Sequence, residues 1–123
     1  MPVTPDEILD SAITLGRGEA EVDWRNACSR AYFAAFHRCR QIAAAFEPHV
    51  ELGRSDTHRL VFDILSERSR GPAAVGVGYM LDQCRRLRNR ADYDINDEFR
   101  LASCRSAIQT SRDIAARADA MGW

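Results

Sequence analysis

Hydrophobic residues recur every three or four positions along most of this chain, in segments separated by short stretches of glycine, proline and polar residues. Such spacing places apolar side chains along one face of an α-helix. No segment alternates Val, Ile, Thr and aromatic residues in the way that is typical of strands joined by tight turns. The sequence therefore predicts an all-α protein, a four- to five-helix up-and-down bundle, in a single domain over residues 1–123.

Local signals predict the positions of the first two helices. Thr4, Pro5 and Glu7 stand in the order of a capping box, so the first helix should begin here and end near Leu15, before two glycines. The second helix is predicted over about residues 22–46 and carries the clearest apolar stripe. This stripe consists of Ala27, Cys28, Ala31, Tyr32, Ala35, Cys39, Ile42 and Phe46.

Three further helices complete the prediction. The third covers about residues 56–68, after which Gly71-Pro72 should close the segment. The fourth starts within residues 73–78 and runs to about Asp92. The fifth should follow Asn96 as its N-cap and continue almost to the C-terminus, with two acidic residues in its first turn.

Composition limits the classes of protein to consider. The chain has 123 residues and a formal net charge of −1, which suits one compact domain and excludes a large multidomain enzyme. It lacks both a basic segment followed by an apolar one and an apolar run of about 18 residues, so we expect a cytoplasmic protein without a membrane partner. The four cysteines form no C-x-x-C pair and are expected to be reduced, buried thiols.

The strongest candidate chemistry lies near the end of the fourth helix, where four arginines fall within six residues. On a helical wheel Arg85, Arg88 and Asp92 lie beside the apolar stripe, whereas Arg86 and Arg90 lie on a solvated face. A guanidinium at the border of the core needs a partner. For Arg88 that partner is either Asp92, which would only fasten the helix end, or a phosphate or second subunit.

Two motifs also carry a resemblance to a known family. The string SRAYFAAFH at residues 29–37 and the string LRNRADYD at residues 87–94 resemble the HEPN superfamily, the higher eukaryote and prokaryote nucleotide-binding domains. The resemblance is to its small prokaryotic, nucleotidyltransferase-associated branch. It implies a helical bundle that forms a homodimer through the helices with these motifs. It further implies a metal-independent endoribonuclease of a toxin–antitoxin or defence system, with no cofactor and with a nucleotidyltransferase as partner.

The resemblance also suggests roles for individual residues. The ribonuclease members carry an Arg, usually followed by Asn or another polar residue, and a His about five positions after the Arg. Arg88 and Asn89 match the first two, which implies that they hold an RNA phosphate in the dimer cleft, with Arg85 and Asp92 beside them. Tyr93 stands at the position of the His and completes the candidate catalytic set.

Tyr93 is the main departure from the family pattern. A phenol stays protonated at neutral pH and is therefore a poor base for removing a proton from the ribose 2′-hydroxyl. The alternative function is a non-catalytic module that binds RNA or nucleotide phosphates, or that partners a nucleotidyltransferase; a third is a scaffold protein. Related toxins carry a modifiable Tyr two residues after the His, where this chain has Ile95.

The three histidines do not supply the missing base by their spacing. His37 is predicted on the polar side of the second helix and His49 in a loop, both as ordinary surface residues. His58, near the start of the third helix, is the remaining candidate base. No two histidines are three or four residues apart, so no metal site is predicted.

Overall fold

The computed structural model describes residues 2–52 and 57–123, and within them it contains five α-helices and no strand. Consecutive helices pack against each other, as expected for a helical bundle. The predicted all-α helical bundle is therefore confirmed. The helices are α1 (Pro5–Gly16), α2 (Glu21–Phe46), α3 (Thr57–Ser66), α4 (Pro72–Tyr93) and α5 (Leu101–Ala120), with one 3₁₀ turn at Arg68–Arg70.

Helix α2 lies at the centre of the bundle and packs against each of the other four helices. Its predicted stripe is buried from Ala27 to Ile42, and Phe46 is partly buried at the end. The stripe faces the apolar sides of α4 and α5, so that one continuous core runs through the molecule. Most side chains of this stripe are small, which suits a helix that must accept neighbours on several sides.

The predicted capping box starts α1. The side chain of Thr4 accepts a hydrogen bond from the backbone N–H of Glu7 at 3.2 Å. The carboxylate of Glu7 in turn accepts one from the backbone N–H of Thr4, also at 3.2 Å. Two backbone donors that the helix itself leaves free are thereby satisfied.

Two predicted boundaries around α3 and α4 need correction. Helix α3 ends at Ser66, before the predicted residue 68, and its predicted start at residue 56 lies outside the described residues. Gly71-Pro72 opens α4 and does not close the preceding segment. Gly71 has a φ of 95°, which favours glycine, and Pro72 occupies the first helical position, where its missing N–H costs nothing.

The predicted start of α5 is also wrong. The helix begins at Leu101 and not after Asn96, and its N-cap residue is Arg100. Phe99 is buried in the core, and its backbone N–H donates a hydrogen bond to the carboxylate of Glu21 on α2. Burial of this ring keeps the preceding residues outside the helix, despite their favourable capping sequence.

Arg25 on α2 holds the C-terminal end of α4. Its guanidinium donates hydrogen bonds to the carbonyl oxygens of Ala91 at 3.0 Å and of Arg90 and Asp94 at 3.3 Å. The backbone N–H groups of Asp94 and Asp97 also donate to the carbonyls of Arg90 and Asp94, so this arginine is a second donor to those two oxygens. It supplies the carbonyl of Ala91 from a neighbouring element. The contact fixes the end of α4, which carries the residues of the candidate site.

A close approach between α3 and α4 sets the position of α3. A Cβ added at Gly78 on α4 would lie 3.1 Å from Cβ of Leu65 on α3. Any larger side chain at this position would push the two helices apart. Gly78 therefore helps to hold α3 against the half of the molecule that carries the arginines.

The four cysteines are free, buried thiols, as predicted. Cys28, Cys39, Cys84 and Cys104 are unpaired and fully buried. Burial raises the pKa of the Cys84 thiol to about 12, so it stays protonated and unreactive at neutral pH. Among the described residues, no helix combines the length and the apolar character needed to cross a membrane.

Candidate functional site

Arg88 lies on the side of α4 that faces α2, at the edge of the core. Its side chain is 19% exposed, which confirms the prediction that it borders the buried face. The guanidinium carbon lies 5.7 Å from the ring centres of Tyr32 and Phe33 on α2 and 5.3 Å from that of Tyr93. Three aromatic rings thus surround the positive charge at cation–π distances.

Asp92 provides the opposite charge. Its Oδ2 lies 2.8 Å from Nε of Arg88, in the predicted i, i+4 pair. The same oxygen accepts a hydrogen bond from the hydroxyl of Ser29 on α2 at 3.2 Å. Helix α4 is therefore linked to α2 through Arg88, Asp92 and Ser29. This is the purely structural role that was expected from the sequence as one alternative for the pair of Arg88 and Asp92.

The guanidinium of Arg88 keeps unused hydrogen-bonding capacity. Nη1 donates to Oδ1 of Asn89 at 3.3 Å, whereas the buried Nε has no well-directed acceptor within the described residues. The contact with Asp92 is therefore ionic more than it is a directed hydrogen bond. Because Oδ1 of Asn89 faces Arg88, the amide NH₂ group of Asn89 remains as a second donor.

Arg85 lies one turn before Arg88 and is partly exposed. Its Nε and Nη2 donate to Oδ1 of Asp82 at 3.2 and 3.0 Å. Arg86 pairs with the other oxygen of Asp82 at 3.1 Å but is largely exposed, and Arg90 is exposed as well. The predicted division of the cluster into two border residues and two solvated residues is confirmed.

Tyr93 is the last residue of α4, and its side chain is 67% exposed. Its ring lies beside the guanidinium of Arg88 at 5.3 Å. The ring of Tyr93 is thus one of the three that lie against the arginine. The catalytic role that the resemblance implies for Tyr93 stays a prediction.

The structure brings a histidine into this region from a different helix. His58 lies in the first turn of α3, and its Nδ1 is 2.6 Å from the hydroxyl oxygen of Tyr32. Its ring also packs on Phe36, with 4.2 Å between ring centres. Burial, followed by the positive charges of Arg88 and Arg85, lowers the pKa of His58, so its imidazole is neutral at neutral pH.

An open cleft of about 580 Å³ lies beside these residues, between α3 and α4. Its charges are balanced, because Arg85 pairs with Asp82 and Arg59 lies 3.8 Å from Asp63. His58 and Phe62 complete the lining. The cleft gives solvent and a ligand access to both His58 and Arg85.

Sequence reasoning named His58 as a candidate base but did not place it near Arg88. The two residues are 30 positions apart on separate helices, and both contact the ring of Tyr32. Periodicity describes the face of one helix only, so no spacing rule predicts this meeting. The sequence feature that could have indicated a polar contact here is Tyr32 itself, because its hydroxyl lies on an otherwise apolar stripe and needs a hydrogen-bond partner.

His37 departs from its prediction, whereas His49 agrees with it. His37 is half-buried and packs edge-on against Phe36, with 5.3 Å between ring centres. Burial and the charge of Arg40 lower the pKa of His37. His49 is exposed in the segment after α2. Within residues 2–52 and 57–123, no group of three His, Cys, Asp or Glu residues is arranged to hold a metal ion.

No protein-family model, no curated protein and no solved structure matches this chain. The two sequence motifs and the geometry around Arg88 are therefore the features that point to a function.

Proposed function

We propose that this chain is a HEPN-like domain that binds RNA phosphates through Arg88 and Asn89 and cleaves RNA without a metal ion. In this proposal it acts as a homodimer, in which two copies of the site share a cleft. Its biological setting would be a toxin–antitoxin or defence system with a nucleotidyltransferase as partner, as the resemblance implies.

The observation that carries this proposal is the state of Arg88. The guanidinium is held in place by three aromatic rings and Asp92, and within the described residues Nη1 makes one hydrogen bond, to Asn89. Nε is buried, so the donors left for a ligand are on the two Nη groups. A pre-positioned arginine with free donors is suited to the two non-bridging oxygens of a phosphodiester. The NH₂ group of Asn89 adds a donor on the same side.

Such a site can promote transfer of the phosphodiester to the ribose 2′-oxygen. The 2′-hydroxyl loses its proton to a base, its oxygen forms a bond to phosphorus, and the bond from phosphorus to the 5′-oxygen breaks. The 5′-oxygen takes up a proton as it leaves, and a 2′,3′-cyclic phosphate remains. Negative charge that develops on the phosphate oxygens is stabilised by Arg88 and Asn89.

Exposed apolar side chains at one end of the molecule support the proposed dimer. Ile95 is 71% exposed and Val22 is 61% exposed, and Tyr93, two residues before Ile95, is exposed as well. Arg25 ties the first turns of α2 to the end of α4, so these side chains belong to the same end of the bundle. Apolar residues grouped in this way are typical of an interaction surface.

Cleavage of a mixed-sequence single-stranded RNA in the presence of a chelator tests the proposal. Arg88→Ala should abolish cleavage and weaken RNA binding at least tenfold. Arg90→Ala is the matched control, because it removes an exposed arginine two residues away and should lower affinity slightly, mainly at low salt. Equal effects of the two substitutions would show a diffuse basic patch in place of a site.

The alternative, a non-catalytic module, is favoured by one specific contact. Arg88 already has an ionic partner in Asp92 within its own chain, and Tyr93 occupies the position where the family has a base. Binding of RNA or a nucleotide that depends on Arg88, without any cleavage in the presence or absence of added metal, would establish this alternative.

A further inference from the structure

We propose that His58 on α3 is the group that takes the proton from the ribose 2′-hydroxyl, and that Tyr32 on α2 positions it. This inference rests on the proposed function and assigns its missing base. It assigns the role of the base to a histidine on another helix of the same chain, and no longer to Tyr93 at the end of α4.

The first support is the contact between His58 and Tyr32. The 2.6 Å separation of Nδ1 and the Tyr32 hydroxyl oxygen is a hydrogen bond, and it commits one of the two ring nitrogens. When Nδ1 donates to Tyr32, Nε2 is unprotonated and is the nitrogen available to a substrate. Phe36 packs against the ring at 4.2 Å and fixes its plane. The imidazole is thus oriented in the way that a general base requires.

Tyr32 is suited to both protonation states of His58. Its hydroxyl can accept a hydrogen bond from Nδ1–H before the reaction and continues to accept it from the imidazolium after Nε2 has gained a proton. The ring is only 1% exposed, and this burial raises the pKa of Tyr32, so the residue stays neutral throughout. Tyr32 therefore orients the imidazole of His58 and is not itself a base.

The second support is electrostatic. The groups near the His58 ring are Tyr32 and His37 on α2, Arg85 and Arg88 on α4, and, along the shared cleft, Arg59, Asp63 and Asp82. Burial of the ring and then the two α4 arginines lower the pKa of His58, so it is unprotonated at neutral pH. The unprotonated imidazole and the guanidinium of Arg88 both lie against the ring of Tyr32, so a base and a phosphate ligand are placed around the same side chain.

The third support is access. His58 lines the open cleft between α3 and α4 together with Arg85, so an RNA strand can reach its ring from solvent. In the reaction, the 2′-hydroxyl proton passes to Nε2, and the 2′-oxygen bonds to phosphorus while the 5′-oxygen leaves. The imidazolium then returns its proton to solvent or to the leaving oxygen, which restores the starting state.

The test compares chelator-treated cleavage of a single-stranded RNA oligonucleotide by the wild type and by His58→Ala. The substitution should lower the cleavage rate by about 10²-fold or more, the usual contribution of a general base, while RNA affinity changes less than about threefold. His49→Ala is the matched control, since it removes an exposed histidine outside the cleft and should leave cleavage unchanged.

Tyr32→Phe keeps the buried ring and removes only the hydroxyl. It should slow cleavage, shift the pH profile of the cleavage rate and change the tautomer of His58 seen in ¹⁵N NMR spectra. A purely structural tyrosine would alter stability and leave the pH profile where it was.

The outcomes separate the two proposals. If the wild type binds RNA but does not cleave it, both the cleavage function and this inference are wrong. If the wild type cleaves RNA and folded His58→Ala cleaves it equally well, only this inference is wrong. Loss of cleavage in Tyr93→Phe, with His58→Ala unaffected, would return the role to Tyr93.

Discussion

Arg88 shows how a half-buried charge is tolerated at the residue scale. Removing a guanidinium from water is costly unless other groups replace its hydration. Here one carboxylate, itself held by Ser29, and the faces of three aromatic rings take over part of that role. Because these contacts leave N–H groups unused, the same residue serves both the packing of α4 on α2 and the proposed binding of phosphate.

The lowered pKa values of His58 and His37 lead us to expect that the protein loses stability in mild acid. Burial lowers the pKa of both residues in the folded protein, so the unfolded chain binds protons more readily. Their contribution is complete above the unfolded value of about 6.5 and is lost as the pH falls below it. The urea concentration at the unfolding midpoint, followed by circular dichroism, should therefore decrease as the pH is lowered from 7.5 to about 5.5.

The size of this effect is modest, since both rings remain partly solvated. The double variant His37→Gln and His58→Gln should show a flatter pH dependence over the same range. A wild-type midpoint that rises as the pH falls would contradict the assignment.

At the scale of elements, the end of α4 depends on a residue of α2. We expect Arg25→Met to keep most of the apolar stem but to remove the donor to the carbonyl of Ala91 and the second donor to the carbonyls of Arg90 and Asp94. The free energy of unfolding should fall by about 2 kcal/mol, the range for hydrogen bonds to a charged group. Chemical denaturation measures this change directly.

Arg112→Met provides the control for that measurement. Arg112 is exposed on α5, and substitutions at such positions usually change stability by less than about 0.5 kcal/mol. Similar losses in the two variants would mean that the contacts of Arg25 with α4 contribute little.

At the scale of the whole molecule, we expect a dimer in solution. Sedimentation equilibrium should give about twice the chain mass of 13.8 kDa at concentrations well above micromolar. Ile95→Asp places a charge within the exposed apolar group and should shift the mass towards that of one chain.

Val3→Asp tests whether any new surface charge has the same effect. Val3 is also exposed, but it lies beside the C-terminal half of α2, roughly 20 Å along that helix from Arg25. It should leave the dimer intact. A wild-type mass of one chain at high concentration would refute the proposed assembly.

Local patterns were enough to predict the helices themselves. The capping box of α1, the buried stripe of α2 and the Arg88–Asp92 pair all depend on residues within a few positions of each other. A helix fixes the relative placement of such residues, whatever packs around it. These local patterns therefore suffice to predict the all-α class and the position of Arg88 at the edge of the core.

Features that join distant segments depend on the packing of the helices. Phe99 enters the core and delays the start of α5, although Asn96 has the better capping sequence. Arg25 reaches the end of α4, and His58, on a third helix, meets Tyr32, whose ring also lies beside Arg88. Each of these contacts depends on how helices pack against each other, and a helical repeat carries no information about which faces meet. For that reason the sequence identifies Arg88 as a candidate site residue, whereas the packing of the helices is needed to place His58 against the same tyrosine.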